Sequence, residues 1–492
     1  MIIHTTAFDF TEIIILLFSL LFAFFIIFIE NDIYFSTMQI LVWLNTFQTI
    51  AILIYCIRNN QLGSKFAFFI FNIAYFILLQ GAYLCNVYNE SFFGIHVFTN
   101  AVSISYLNEA KGLLSILLSQ FVVFFVYALY NKNRNMIPNS TPTDGNMEKY
   151  SKWSLVFMTL GGIAAFIKTG LKVIYVFMYG YLGTYVASGN ALYQNPVIDL
   201  FDKFYLLGFY GFLATFPTGK KLKIPMTIFI IYSFLNLMTG ARGGAVINIL
   251  FIIWYLSKRN DVLQIKRHYL SMKKCFLLAV AAFIAFPLLY DYGITRVGGT
   301  VADIGALDKI LIFIQGQGGS GKLTALGLEY SENIYTYISS IMIVFAPIRS
   351  FLINNSIARI FTGGSLGQSV ETLYKTGGFA DVLTYVTNPS SYLNGSGIGT
   401  SYVAELTVAF GYVGVIAFSI FLGFILYYID HLKFDNWITN VIFLNLFVSI
   451  TYIPRHSTMG FIPESASAVV FILIIMFISG KIKLGSSNGQ KI

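Results

Sequence analysis

Twelve apolar runs, near residues 12–29, 37–57, 66–85, 109–130, 153–180, 200–216, 225–239, 244–257, 275–290, 400–429, 437–453 and 465–480, alternate with short polar connections and fix the medium in which this chain folds. A run of about 20 apolar residues matches a hydrocarbon core roughly 30 Å thick. With 57% hydrophobic and 11% charged residues and a mean hydropathy of +0.73, the bilayer is the solvent for most of the chain. The expectation is an all-α polytopic membrane protein with about twelve transmembrane helices. The first run is preceded by no basic cluster and followed by Glu30-Asn31-Asp32 without a small-residue cleavage site, which predicts a retained span.

Charge distribution sets orientation. Loops 58–65, 131–152, 217–224, 258–274 and 430–436, together with the tail after 480, hold 19 of the 31 Lys and Arg residues, whereas segments 30–36, 86–108 and 181–199 hold none. Basic loops mark the cytoplasmic side, so both termini are expected there. The net charge of +9 falls in these short loops rather than in a basic domain interleaved with aromatics, which argues against nucleic acid as a partner. Cys56, Cys85 and Cys275 are odd in number and scattered in apolar segments, supporting neither a disulfide framework nor a zinc site.

The resulting organisation has spans 1–9 in residues 1–290, an outward-facing loop domain in 291–399, and spans 10–12 with a cytoplasmic tail in 400–492. Residues 291–399 hold 17 of the 41 glycines, in two loop-like stretches, Gly293 to Gly327 and Gly363 to Gly399. Between them Ile338 to Ile353 is apolar, short for a crossing and interrupted by Pro347 and Arg349, and reads as an amphipathic helix at the interface; the alternative is a crossing, which would need a second one nearby to keep the tail inside.

Residues 225–257 form one apolar stretch broken by Thr239-Gly240-Ala241-Arg242-Gly243-Gly244. At about 1.5 Å per residue it is too long for one crossing and short for two. Basic residues flank it on both sides, so it is expected to be a hairpin with arms of about 14 residues, leaving Arg242 below the outer surface in a protein-lined cavity. An arginine at such depth is functional by default. Arg296, just past the span ending near Tyr290, and Arg455 in Tyr452-Ile453-Pro454-Arg455-His456 leave the membrane on the same side. Three guanidiniums near one outer cavity suit a pyrophosphate through planar paired donors; arginines at span ends also snorkel to headgroups.

Lys168 and Lys172 lie one helical turn apart inside the run 153–180, where they either extend the anion site or snorkel. Glu405 is the one acidic residue in its run and is either a general base or a structural partner, and His456 could move a proton near neutral pH. Glu30 and Asp32 read as a solvated turn. Gly316-Gln317-Gly318-Gly319-Ser320-Gly321-Lys322 has phosphate-loop spacing, but Leu323 stands where the magnesium-binding hydroxyl belongs, so a loop without nucleotide is expected. Metal-ligand spacing is absent from the sequence, and no cofactor is implied.

The twelve spans, the glycine-flanked arginine break, the long outer segment and the string Glu405-Leu406-Thr407-Val408-Ala409-Phe410-Gly411-Tyr412-Val413-Gly414 together resemble the bacterial O-antigen and capsule repeat-unit polymerases, the Wzy family. The resemblance implies a membrane glycosyltransferase in the bacterial plasma (inner) membrane that joins polyprenyl-pyrophosphate-linked oligosaccharides at the outer face. It implies those lipid-linked oligosaccharides and membrane lipid as partners, with a chain-length regulator as a further candidate. Arg242, Arg296 and Arg455, with Lys168 and Lys172, would hold the pyrophosphate, and Glu405 and His456 are the candidate catalytic residues. A lipid-linked oligosaccharide flippase and an O-antigen ligase are the rival readings.

Overall fold

The computed structural model describes residues 3–29, 35–58, 62–88, 104–132, 145–186, 192–240, 242–263, 272–295, 299–300, 303–362 and 367–480, and every regular element among them is helical. The first group is α1 (Ile3–Ile29), α2 (Phe35–Ile57), α3 (Phe66–Tyr75), α4 (Gly81–Tyr88) and α5 (Tyr106–Lys132). The second is α6 (Met147–Val186), α7 (Pro196–Leu213), α8 (Gly219–Met238), α9 (Arg242–Val262) and α10 (Met272–Thr295). Eight shorter helices follow: α11 (Ala306–Gln317), α12 (Gly319–Glu329), α13 (Ser331–Tyr335), α14 (Ser340–Asn354), α15 (Ser356–Thr362), α16 (Val370–Thr376), α17 (Phe379–Thr387) and α18 (Pro389–Leu393). The chain closes with α19 (Tyr402–Asp430), α20 (Trp437–Thr451) and α21 (Phe461–Ile478).

Each of the twelve predicted segments is helical, as a chain in lipid requires, because a helix satisfies its backbone groups internally. Seven stretches among the described residues are long and apolar enough to cross a membrane: 36–57, 62–87, 106–131, 147–186, 219–238, 402–430 and 461–478. The pair α14 and α15, bent by 52°, makes an eighth if counted as one broken span. Local signals set the ends. Asn195 accepts from the N–H groups of Val197 and Ile198 ahead of Pro196 at the start of α7, and Ser401 accepts from Ala404 at the start of α19.

α5 is the central strut, packed against α1, α2, α12 and α19. Midway along it two polar side chains are satisfied internally: Ser119 Oγ lies 2.7 Å from Tyr402 Oη and 2.8 Å from Ser419 Oγ, while the Gln120 side chain meets those of Gln48, Thr49, Asn72 and Gln80. Gln80 ends a π-helical turn, Phe76–Gln80, between α3 and α4. At the far end of the bundle the buried Asp430 carboxylate, closing α19, accepts from Ala67 N (2.8 Å), Phe68 N (3.0 Å) and Tyr127 Oη (2.9 Å), and so caps α3. α6 and α7 meet through glycine: a Cβ on Gly161 would strike the Tyr205 backbone, and one on Gly208 the Met158 backbone.

The glycine-rich stretch expected as loop between Gly293 and Gly327 is helical over α11 and α12, which pack against α4, the π turn and, for α12, α5 and α19. Its glycines serve close approach: a Cβ on Gly318 would meet Ala82 N, and one on Gly321 would meet Leu79 O. The apolar segment between the two glycine-rich stretches is α14, with Pro347 inside it.

Candidate functional site

The glycine break in 225–257 is a helical hairpin. α8 ends at Met238, Gly240 takes φ +90° after donating to Leu237 O (2.9 Å), and α9 starts at Arg242. The arms have 20 and 21 residues rather than about 14, because the helices continue through Lys220, Lys221 and Lys223 at one end and Lys258 and Arg259 at the other. Arm length therefore does not fix how deep the tip lies. Its neighbours define it better: a Cβ on Gly243 would stand 2.6 Å from Tyr452 Oη, so the first turn of α9 abuts the end of α20. Tyr292 Oη donates to Leu237 O (3.0 Å), laying the last turn of α10 on the same tip, and Lys309 pairs with Asp291 at 2.9 Å, tying α10 to α11. The Arg242 side chain and the whole of Arg296 lie outside the described residues.

Tyr452 leads into a 3-10 turn, Ile453–Arg455, that lies against the π turn and α19. Arg455 Nη1 donates to Gln317 Oε1 (2.7 Å), at the end of α11, leaving the rest of its guanidinium without a described partner. His456 is exposed, its Nδ1 3.4 Å from Ser457 Oγ. Glu405 is 1% exposed and uses both oxygens: one accepts from Thr400 Oγ1 (2.8 Å), the other from Thr458 N (2.7 Å). It thereby clamps the loop after Arg455 to the first turn of α19. Six residues on, Gly411 takes φ +63°, a region open to glycine, and breaks α19 within the Glu405–Gly414 string.

Four sequence-distant pieces thus converge: the α8–α9 tip, the Tyr452–His456 turn, the end of α11 and the start of α19. Lys168 is engaged elsewhere. Lys168 pairs with Asp199 (2.5 Å) and Asp202 (2.6 Å) on α7, and Asp199 also accepts from Ser356 Oγ (2.7 Å) and lies 3.5 Å from Arg359 Nη1 on α15. Lys172, one turn along α6, has no ion pair among the described residues. The phosphate-loop-like string lies at the α11–α12 junction, with a helix rather than a strand leading into it. Among the described residues no group of three or more His, Cys, Asp or Glu side chains is placed to hold a metal.

Sequence reading passed over Tyr452 and Gln317, which frame Arg455, and over Asp199 and Asp202. The aspartates carried a signal: two acidic residues three apart open the apolar run that follows the lysines. A family model described as O-antigen polysaccharide polymerase Wzy matches residues 12–484. No curated protein and no solved structure matches the chain.

Proposed function

The chain belongs to the O-antigen polysaccharide polymerase Wzy family, and from that premise we propose that it transfers a growing glycan from polyprenyl pyrophosphate to a hydroxyl of another lipid-linked repeat unit at the outer face of the plasma membrane, with both termini cytoplasmic. The observation that carries this reading is the convergence of the Arg242–Gly243 helix start with Tyr452, Arg455 and Gln317. In the reaction the bond between the sugar's anomeric carbon and the pyrophosphate oxygen breaks, the electron pair leaves with the lipid pyrophosphate, and the acceptor oxygen takes its place on the carbon. Negative charge grows on the leaving group. The Arg455 guanidinium, held by Gln317 with its other donors unpartnered among the described residues, and the start of α9 are the groups assigned to stabilise it.

Arg455 is assigned to the pyrophosphate, with Arg242 and Arg296 as its partners on the hairpin tip and after α10. His456, exposed beside Arg455, is assigned the acceptor's proton. Glu405, with both oxygens engaged, is assigned to positioning the Arg455–His456 turn. Lys172 is the lysine left for an anion, since Lys168 is neutralised by two aspartates.

The test is product analysis in cells lacking the chain and complemented with it. Long chains on polyprenyl pyrophosphate support polymerisation. Chains moved to lipid A core would make it a ligase, and repeat units accumulating on the cytoplasmic leaflet in its absence would make it a flippase.

A further inference from the structure

Across α11 from Arg455 lies a second polar cluster that the assignments above leave unused. Tyr83 and Asn86 come from α4, Glu109 from the first turn of α5, Gln315 from α11 and Lys322 from α12. The amides of Gln315 and Asn86, 3% and 1% exposed, meet at 3.2 Å, and with its oxygen turned to Lys322 Asn86 accepts from Nζ at 2.7 Å. Glu109 and Lys322 lie within each other's electrostatic reach, yet among the described residues neither forms an ion pair and the Glu109 carboxylate accepts no hydrogen bond. The Tyr83 hydroxyl, on a side chain 2% exposed, lies in the field of Glu109 and has no hydrogen-bond partner among the described residues.

A buried hydroxyl without a partner among the described residues, beside opposite charges that form no ion pair there, leaves donors and acceptors unsatisfied. The charges cancel, and the carboxylate repels phosphate, so the complementary ligand is a neutral polyol whose hydroxyls donate to Glu109 and accept from Lys322 and Tyr83. Gln315 and Gln317 are two residues apart and so point to opposite sides of α11, one toward this cluster and one toward Arg455. A helix is on the order of 10 Å across with its side chains, which keeps the two sites within the span of a short saccharide.

We propose that Tyr83, Asn86, Glu109 and Lys322 form an acceptor subsite, binding the hydroxyls of a sugar of the acceptor repeat unit next along from the one that receives the chain, while the Arg455 turn holds the donor's pyrophosphate. This rests on the polymerase reading. The test uses the full chain in nanodiscs, lipid-linked repeat units as donor, and as acceptor the lipid-free repeat-unit oligosaccharide released from them by mild acid. Tyr83→Phe is the informative variant, because a hydroxyl with no partner among the described residues has no hydrogen bond there to lose. It should raise the acceptor KM about tenfold, the effect of one hydrogen bond, with donor KM within about threefold and no fall in thermal midpoint; Glu109→Gln should act in the same direction. An acceptor KM within threefold of wild type in both variants, or an equal rise in donor KM, overturns the assignment. If the wild-type chain forms no product, it is the polymerase reading that fails. Equilibrium binding of the tritiated oligosaccharide then decides the subsite: tenfold weaker binding by Tyr83→Phe supports it, and equal or absent binding sinks it.

Discussion

Replacing Gly243 with alanine tests whether the hairpin tip and the Arg455 turn are one site. Helix propensity alone favours alanine by about 0.8–1.0 kcal/mol. Contact opposes it: the new methyl would stand 2.6 Å from Tyr452 Oη and 3.0 Å from Cζ, where ordinary contact begins near 3.4 Å. Tyr452 must retreat by about 0.8 Å, and overpacking of this kind costs about 1–3 kcal/mol. The retreat displaces the residue that opens the turn holding Arg455. Gly243→Ala should therefore slow polymer formation about tenfold or more at normal abundance, measured as chain growth on lipid-linked units in membranes. Tyr452→Phe removes the nearer of the two offending atoms, so the double variant should return to within about threefold of Tyr452→Phe alone, a coupling of at least about 0.7 kcal/mol. Strictly additive losses, or ordinary rates from Gly243→Ala, would refute the juxtaposition.

Arg455→Lys keeps charge but loses the paired donors, so polymer should fall about a hundredfold with single units left on the carrier; polymer of ordinary length would remove paired recognition from the mechanism. Asp199→Asn with Asp202→Asn strands Lys168 and should destabilise the chain, by less than the roughly 3–5 kcal/mol of a fully buried pair because 17–26% of these side chains is exposed; an unchanged thermal midpoint in detergent would show the network to be incidental. Cysteines at Asn394 and Glu148, both exposed, test orientation: an impermeant thiol reagent should label the first in intact spheroplasts and the second after permeabilisation, and the reverse pattern would invert the topology. Hydrogen bonds from Asn108 Nδ2, Ser105 N and Ser105 Oγ hold the Glu329 carboxyl below its ordinary range. A depressed folded pKa contributes stability above the unfolded value near pH 4.3 and loses it as pH falls through the folded one. The thermal midpoint should accordingly decline below about pH 4.3, and Glu329→Gln should flatten that decline; an identical profile in the variant would exclude this group.

What the sequence disclosed was local. Apolar runs located the helices, and the glycine break located the hairpin, since a chain in lipid has few other ways to satisfy its backbone. Gly318 and Gly321 misled because glycine promotes turns where nothing touches it, but permits contact where a neighbouring helix presses in, and only the fold says which. The Lys168 ion pairs were missed because their aspartates lie 31 and 34 residues away on the next helix. Arg455 could be singled out as a cation at a membrane exit, but its partner Gln317 is 138 residues distant and chemically unremarkable in isolation. Such pairings depend on how helices stack, which no spacing encodes.

The glycine crossing of α6 and α7 has a mechanical consequence. Where two helices touch main chain to main chain, no side chain can change rotamer to let them slide, and the pair behaves as a stiff beam. Asp199 fastens that beam to α15 through Ser356 and Arg359, while α14 meets α15 at 52°. Compliance is thereby concentrated at the bend: an enzyme that must admit one glycan and let a longer one go can flex there while α6 and α7 travel as one body. Spin labels across the crossing should report a single narrow distance through turnover, and labels across the bend a broad one.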